Sequence, residues 1–299
     1  MESFDGKIAV ITGAGTGMGR ELAHSLATAG AHLALCDVNE DNLTATAASC
    51  HTTNSSISVT THSCDVSDEA QVMAFRDQVV AQHHAEHVNL LFNNAGIAGG
   101  GSFVADDRAS WEKTFNVCWN GVYLCSRAFL PLLIAADEAH IINTSSINGL
   151  WASLGASRSH TAYSAAKFAV RGFTEALIAD LRLNAPHVKA SVVLPGHVGT
   201  EIVANSAKVH SAISPDTFPA EADNERTEIA NAFRNHAPTT ASQAAQVILD
   251  GVRAGEWRIL VGEDAEILDG LLRDDPTGAY EQPFVDKLHA LGALRELVT

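Results

Sequence analysis

Tyr163 and Lys167 stand four positions apart in the run Tyr163-Ser164-Ala165-Ala166-Lys167. If this stretch is helical, the spacing puts a phenol and an ammonium on one face, one turn apart. A neighbouring cation favours phenolate, so the expected tyrosine has a pKa lowered from about 10 toward neutral pH. A phenol poised that way can donate and accept protons. The same spacing also describes an ordinary surface Tyr–Lys pair, so the chemistry depends on what the rest of the chain sets around it.

Several elements must do that positioning. Residues 7–12 are a short apolar run fit for a buried strand, and Gly13-Ala14-Gly15-Thr16-Gly17-Met18-Gly19 follows at once. Helix-forming residues 20–29 come next and close at Gly30. Strand, glycine turn and helix is the context in which backbone can approach a pyrophosphate lying on a helix N-terminus. Residues 32–36 read as a second strand ending at Asp37. That carboxylate can accept adenosine ribose hydroxyls, or it can cap a helix ahead of Asn39 and Glu40.

Further strands are expected at residues 58–63, 88–92, 140–144, 189–194 and 258–261. Helices are expected at 42–50, from the cap Ser67 to about 84, at 111–133, through Tyr163 to about 184, and at 242–254. This alternation predicts an α/β fold: a doubly wound, mostly parallel seven-stranded sheet with helices on both faces. Ligands in such folds bind beyond the carboxyl ends of strands, where Asp37, Asp65, Asn93, Ser146 and Pro195 all fall. Residues 201–235 are polar, helix-prone in pieces, contain Pro215 and Pro219, and read as an irregular insertion that serves as a substrate lid. Residues 263–299 read as a C-terminal helical extension of a single domain spanning 1–299.

A net charge of −16 with no basic stripe argues against a nucleic-acid partner. No uninterrupted apolar run reaches about 18 residues, so no membrane span is expected. Glu2 and Asp5 near the start are unlike a signal peptide. Cys36, Cys50, Cys64, Cys118 and Cys125 lack zinc-type pairing and read as free thiols of a cytoplasmic protein. His83, His84 and His87 have helical spacing but no second cluster to complete a site, so no metal is expected.

Taken together, the motifs resemble the short-chain dehydrogenase/reductase family from residue 7 to about 200. The resemblance implies that Gly13, Gly17 and Gly19, with Thr16 and Met18 between them, form the pyrophosphate turn. Asp37 and Val38 would meet the ribose, and Asp65 and Val66 the adenine. Asn93-Asn94-Ala95-Gly96 would support the sheet and the inner ribose. In Pro195-Gly196-His197-Val198-Gly199-Thr200, Val198 and Thr200 would hold the nicotinamide carboxamide. Ser146 would bind the substrate oxygen and Tyr163 would move its proton. Lys167 would lower the tyrosine pKa and hold ribose hydroxyls. Ser145 is the neighbouring candidate for the serine role, and the family pattern favours Ser146.

The implied activity is hydride transfer between a nicotinamide cofactor and a secondary alcohol or ketone. Asp37 followed by Val38, with Thr16 in the turn, predicts NAD over NADP, because no basic residue stands ready for a 2′-phosphate. Trp151, Phe218 and Phe233 suggest an apolar or alicyclic substrate, unless they only pack the lid onto the body. A homodimer or homotetramer through the 111–133 and Tyr163 helices is implied by the family. Two departures stand out. The segment from Ser146 to Tyr163 is longer than the family pattern, with the surplus in residues 151–160. Cys118 stands where the family has an asparagine, and Asn116 and Asn120 lie on the far side of a regular helix. Cys118 is the one feature favouring a nucleotide-sensing or scaffold protein that lost its chemistry; intact Ser146, Tyr163 and Lys167 argue against that alternative.

Overall fold

The computed structural model describes residues 1–153, 159–213 and 223–295. Pro215, Phe218, Pro219 and the middle of the 151–160 loop lie outside these described residues.

The first half of the chain alternates as its apolar pattern requires. It runs β1 (Ile8–Thr12), α1 (Gly17–Thr28), β2 (His32–Asp37), α2 (Glu40–Thr53), β3 (Val59–Ser63), α3 (Glu69–His83) and β4 (Leu90–Asn93). Then follow α4 (Arg108–Phe115), a π-helical turn (Asn116–Asn120), α5 (Gly121–Ile134), β5 (Ala139–Thr144), α6 (Thr161–Asn184) and β6 (Val188–Pro195). The remainder is β7 (Val198–Gly199), α7 (Ile202–Ile213), α8 (Asp223–Asn235), β8 (Thr239–Thr240), α9 (Ala241–Ala254), β9 (Arg258–Val261), α10 (Glu263–Asp274) and α11 (Gln282–Ala290).

Seven strands form one sheet in the order β3-β2-β1-β4-β5-β6-β9, every pair parallel. Side chains alternate between two cores, as strand geometry demands. Ala9, Ile11, Leu33 and Leu35 pack on α1 and α9, while Val10, Ala34 and Leu91 face the α3 and α5 side. Burial on both faces explains why these strands read as continuous apolar runs.

Some boundaries differ from expectation. Asp68, not Ser67, caps α3, accepting from the N–H groups of Ala70 and Gln71 at 2.9 and 3.1 Å. The Ser67 hydroxyl is turned instead to the acid pair, donating to Asp65 at 2.6 Å and accepting from Lys113 at 3.2 Å. The segment 201–235, expected to be helix-prone in pieces, carries the two helices α7 and α8 among its described residues. A two-stranded ribbon, β7 with β8, went unseen because two-residue strands carry no readable periodicity. Residues 108–134 form one run of helix long and apolar enough to cross a membrane, although no uninterrupted apolar stretch in it is that long. Its buried side, including Val122, Cys125, Phe129 and Leu133, packs into the core beneath the sheet. The C-terminal segment adds its own cluster, in which Leu268, Ala279, Phe284 and Leu288 pack on Ile147 and Trp151.

Candidate active site

At the carboxyl ends of the strands lies a cleft of about 540 Å³. Its floor is the glycine turn after β1. Gly13 has φ +66°, and a Cβ there would sit 2.8 Å from the Ala95 Cα, so only glycine lets the turn pass beneath β4. A Cβ on Gly19 would lie 2.1 Å from the Gly13 carbonyl oxygen, which explains how α1 starts so close to the turn. Thr16 caps α1 by backbone alone, so the first-turn N–H groups have no side-chain acceptor and point at the cleft. Asn94 ties β4 to this floor, donating from Nδ2 to the Thr12 carbonyl at 3.1 Å. Asn93 is buried and braces the sheet, donating to Ser126 and Asn143 at 3.0 and 2.8 Å.

The end of the cleft beside β2 and β3 carries the acids. Asp37 accepts from Gly15 N–H at 2.8 Å and Asn39 N–H at 2.9 Å. Asn39 itself caps α2, so Asp37 is left to face the cleft, with exposed Val38 beside it. Asp65 pairs with Lys113 at 2.5 Å. Burial pushes the Asp65 carboxyl up, but hydrogen bonds from Lys113 and Ser67 outweigh it and hold the pKa below the usual range. Lys113 also lines the cleft. No motif flagged it, since its partner is 48 residues away. Val66, Ala95, Gly96, Met18, Gly17 and Thr200 complete the walls that were expected from sequence.

Beside the cleft, past Gly96 and outside its lining, β5 runs into two serines. Ser145 is buried and its hydroxyl donates to the Lys167 carbonyl at 2.7 Å, which removes it from chemistry. Ser146 Oγ accepts from Asn148 N–H at 3.1 Å and lies close enough to the Tyr163 phenol to pull its pKa down. The geometry therefore separates the two candidates in favour of Ser146. Lys167 is buried, donates from Nζ to the Thr144 carbonyl at 2.8 Å, and sits 5.3 Å from the Tyr163 ring centre.

The expected lowering of the Tyr163 pKa is not found. Burial, and then the Cys118 thiol, push the phenol up, and Ser146 pulls it back only in part. Burial likewise pushes Lys167 down, so the low-dielectric site disfavours both charged forms and the cation cannot win. His160 packs its ring 4.7 Å from that of Tyr163 and is held neutral by burial, its pKa pushed down to about 4.

Cys118 lies in the π-helical turn, a distortion that recurs at functional sites. Its thiol donates to the Ile97 carbonyl at 3.1 Å, and both it and Lys167 Nζ come within 3.6 Å of a point above Gly96. Asn116 and Asn120 bond each other at 2.8 Å and do not take over its place. Pro195 and Gly196 end β6, with Gly196 N–H bonded to the Val261 carbonyl at 2.9 Å. Val198 is buried in the short ribbon. His197 was only a member of a motif in the sequence. Here its N–H donates to buried Asp264 at 2.6 Å and its ring packs 4.5 Å from Phe233.

Two aromatics expected near the substrate are used for packing. Phe233 fastens α8 on His197, and Trp151 is 1% exposed, donating to the Ala279 carbonyl at 2.7 Å. The apolar cleft walls instead come from Ile97 and Val117 and from Ile202, Val209, Ala212 and Ile213 of the 200–213 segment. The helix α7 is fastened over the cleft. Asn205 donates to Thr16 Oγ1 at 3.1 Å, and Ser206 and His210 hold the N–H and carbonyl of Ala98 at 2.8 and 2.9 Å.

A parallel doubly wound sheet with a glycine turn at β1 and a Ser–Tyr–Lys cluster at β5 defines a dinucleotide-binding oxidoreductase. Residues 7–210 match the model of the short chain dehydrogenase family, and the chain belongs to that family. It is 40% identical over 273 residues to the Mycobacterium tuberculosis protein SadH, named as an oxidoreductase, covering 91% of this chain and 92% of SadH. Its fold is similar to a Burkholderia phymatum short-chain dehydrogenase/reductase solved with NAD, with a TM-score of 0.78 and 32% identity over 92% of this chain and 96% of that one. It is also similar to a metagenomic short-chain oxidoreductase solved with NADP, with a TM-score of 0.58 and 32% identity over 64% of this chain and 83% of that one. The protein is accordingly an enzyme of the dehydrogenase/reductase type.

Proposed function

We propose that the enzyme interconverts a secondary alcohol and a ketone, using NAD in preference to NADP, and that the substrate is apolar or alicyclic. The observation that carries this reading is the meeting of Ser146 Oγ, the Tyr163 phenol and Lys167 Nζ at the end of β5, beside the cleft. The uncapped start of α1 and the glycine floor fit a pyrophosphate, and Asp37 fits a ribose diol. When bound, NAD supplies the hydride acceptor and NADH the hydride donor.

The chain's own residues do the rest. Ser146 Oγ holds the substrate oxygen and steadies charge developing on it. Tyr163 passes a proton to or from that oxygen. In the form described the phenol keeps its proton, the state required for donating to a ketone. Lys167 uses one N–H on Thr144 and has two left for ribose hydroxyls. Cys118 keeps the π-turn against Ile97 and leaves this unit in place, so the loss of the family asparagine does not by itself point to a silent scaffold.

The carboxylate of Asp37 repels a 2′-phosphate, and Arg20, which donates to the Gly15 carbonyl at 3.0 Å through Nε, is occupied by the turn. Apolar residues of α7 favour a hydrocarbon-rich substrate under a closing lid. Faster hydrogen exchange in residues 202–213 without NAD than with it is the expected sign of that closure; equal protection in both states rules out gating. We also propose a homodimer or homotetramer, for which light scattering at micromolar concentration should give a multiple of the 31.5 kDa chain. A panel of alicyclic, aromatic and aliphatic alcohols and ketones, assayed by cofactor absorbance with NAD(H) and NADP(H), tests the whole reading. No turnover on the panel, or a higher kcat/KM with NADP(H), counts against it.

A further inference from the structure

No described residue from 263 to 295 lines the cleft, yet this C-terminal segment reaches Ser146 by another route. Ser146 itself has extended backbone, and residues 147–149 then wind into a short 3₁₀ turn. The turn closes on itself. Ser146 Oγ accepts from Asn148 N–H at 3.1 Å, and the Ser146 carbonyl accepts from Gly149 N–H at 2.8 Å. The Ile147 carbonyl accepts from the N–H groups of Leu150 and Trp151, each at 2.8 Å, and Asn148 Nδ2 donates to the Trp151 carbonyl at 3.3 Å. Residues 146–151 are thereby tied into one body, and a shift of Trp151 reaches the Ser146 hydroxyl through Asn148.

Two grips hold this body. The inner one is α6, which also carries Tyr163 and Lys167. Arg171 Nη1 donates to the Gly149 carbonyl at 3.3 Å. A Cβ on Gly149 would lie 2.7 Å from the Lys167 carbonyl oxygen and closer still to Ser145 Oγ, so the turn is pressed against the helix there. The outer grip is C-terminal. Trp151 Nε1 donates to the Ala279 carbonyl at 2.7 Å, and Ala152 N–H donates to the Tyr280 hydroxyl at 3.2 Å. Trp151 and Ala279 are each 1% exposed, and the indole packs 5.6 Å from the Phe284 ring in a cluster with Leu268 and Leu288. In so dry a place the indole N–H has no water to turn to, so the Ala279 carbonyl fixes how the ring sits.

We propose that Trp151 is a positioning residue for the reaction: residues 279 and 280 hold it, and through the closed turn it fixes Ser146 Oγ relative to Tyr163. A group displaced by about 1 Å from its productive place can cost on the order of 10²-fold in rate. Packing alone does not demand this arrangement, because phenylalanine would fill much of the same apolar space and needs no acceptor. The effect on turnover rests on the Ser146 reading above, whereas the anchoring of the turn stands on the contacts alone.

Trp151→Phe keeps a ring in the cluster and removes the N–H. Tyr280→Phe removes only the hydroxyl that receives Ala152. Amide exchange of residues 147–152 is followed by mass spectrometry. Values of kcat and of Kd for NAD are measured with the alcohol that turns over fastest on the panel above. Each substitution is also made in Ser146→Ala protein, whose residual turnover is followed at high enzyme concentration. In Trp151→Phe the turn should exchange about tenfold faster. Its kcat should fall about tenfold, with Kd for NAD within about twofold of wild type. Tyr280→Phe should act in the same direction by about threefold. In Ser146→Ala protein, Trp151→Phe should change kcat by less than about twofold, because the group it places is already gone. A tryptophan that only packs would cost the same factor in both backgrounds, and that result overturns the positioning role. Unchanged exchange in both Trp151→Phe and Tyr280→Phe overturns the anchor and the role together. If Trp151→Phe does not fold, Tyr280→Phe with and without Ser146 decides by the same criteria. Wild-type turnover in Ser146→Ala, or no turnover on the panel, refutes the Ser146 reading; faster exchange of the turn in Trp151→Phe then leaves the anchor supported.

Discussion

The end of the cleft beside β2 and β3 works with charge: Asp37 rests on two backbone N–H groups, and Asp65 is paired with a half-exposed lysine. The end beside β5 works without it, since burial raises the Tyr163 pKa, lowers that of Lys167 and keeps His160 neutral. Under the proposed function the contrast follows from the task at each end. Recognising a ribose needs a fixed acceptor, and water can stay nearby. Moving a proton needs a group whose charge is costly enough that it transfers only when substrate and cofactor are in place.

The largest effects should come from breaking the buried end. Tyr163→Phe removes the hydroxyl proposed to pass the proton, and kcat/KM should fall by about 10³-fold with cofactor affinity little changed. Near-wild-type turnover would overturn the assignment. Lys167→Ala should cost about 10²-fold and also raise the KM for cofactor, because it removes the ammonium that donates to the Thr144 carbonyl and is proposed to hold the ribose.

Acid should act next on the buried imidazoles at both ends and beneath the sheet. Burial lowers the pKa of His62, and pushes His83 and His160 down to about 4 and His140 to about 3. Each folded value lies below the unfolded one, so the stability these groups contribute is complete above about pH 6.5. It is lost as pH falls through about 4. Asp65 keeps its charge over that range, so its pair with Lys113 should outlast the imidazoles. The unfolding free energy from urea titrations should drop between pH 6.5 and 4, by on the order of a few kcal/mol in all, and His83→Gln should reduce the loss. An unfolding free energy that is flat over that window would contradict the neutral packing.

Breaking the charged end should change preference more than rate. Asp37→Ser with Val38→Arg should shift the NADP(H)/NAD(H) ratio of kcat/KM by about 10- to 100-fold toward the phosphate form. An unchanged ratio would mean that Asp37 serves only the glycine turn.

The smallest effect is expected at Cys118. Cys118→Ala removes one thiol–carbonyl bond and should lower kcat/KM by less than about fivefold, while Cys118→Asn should be neutral or better. A loss as large as that of Tyr163→Phe would give the thiol a direct role.

Most of the scaffold was legible because it is local. Apolar runs near β1, β2 and β4 could only be strands buried on both faces, and glycines directly after the first could only be a turn that backbone must approach. Tyr163 and Lys167 share a helix face by spacing alone. Helical pieces in residues 201–235 were legible, but which of their residues face the cleft was not, because a mainly polar segment shows no clear apolar stripe. The pKa of Tyr163 was misjudged because a spacing argument sees the cation and not the depth of burial.

By itself the sequence determined the order of strands and helices, the strand ends at which polar residues collect, and the pairing of a phenol with an ammonium one turn apart. Those features depend on neighbours within a few positions. Tertiary structure alone decided that Ser145 serves Lys167 and leaves Ser146 free, that Lys113 meets Asp65, and that Trp151 reaches Ala279. These pairings span 22 to 128 residues. At that distance the partner is chosen by how strands register and helices pack, which no local pattern of residue types records.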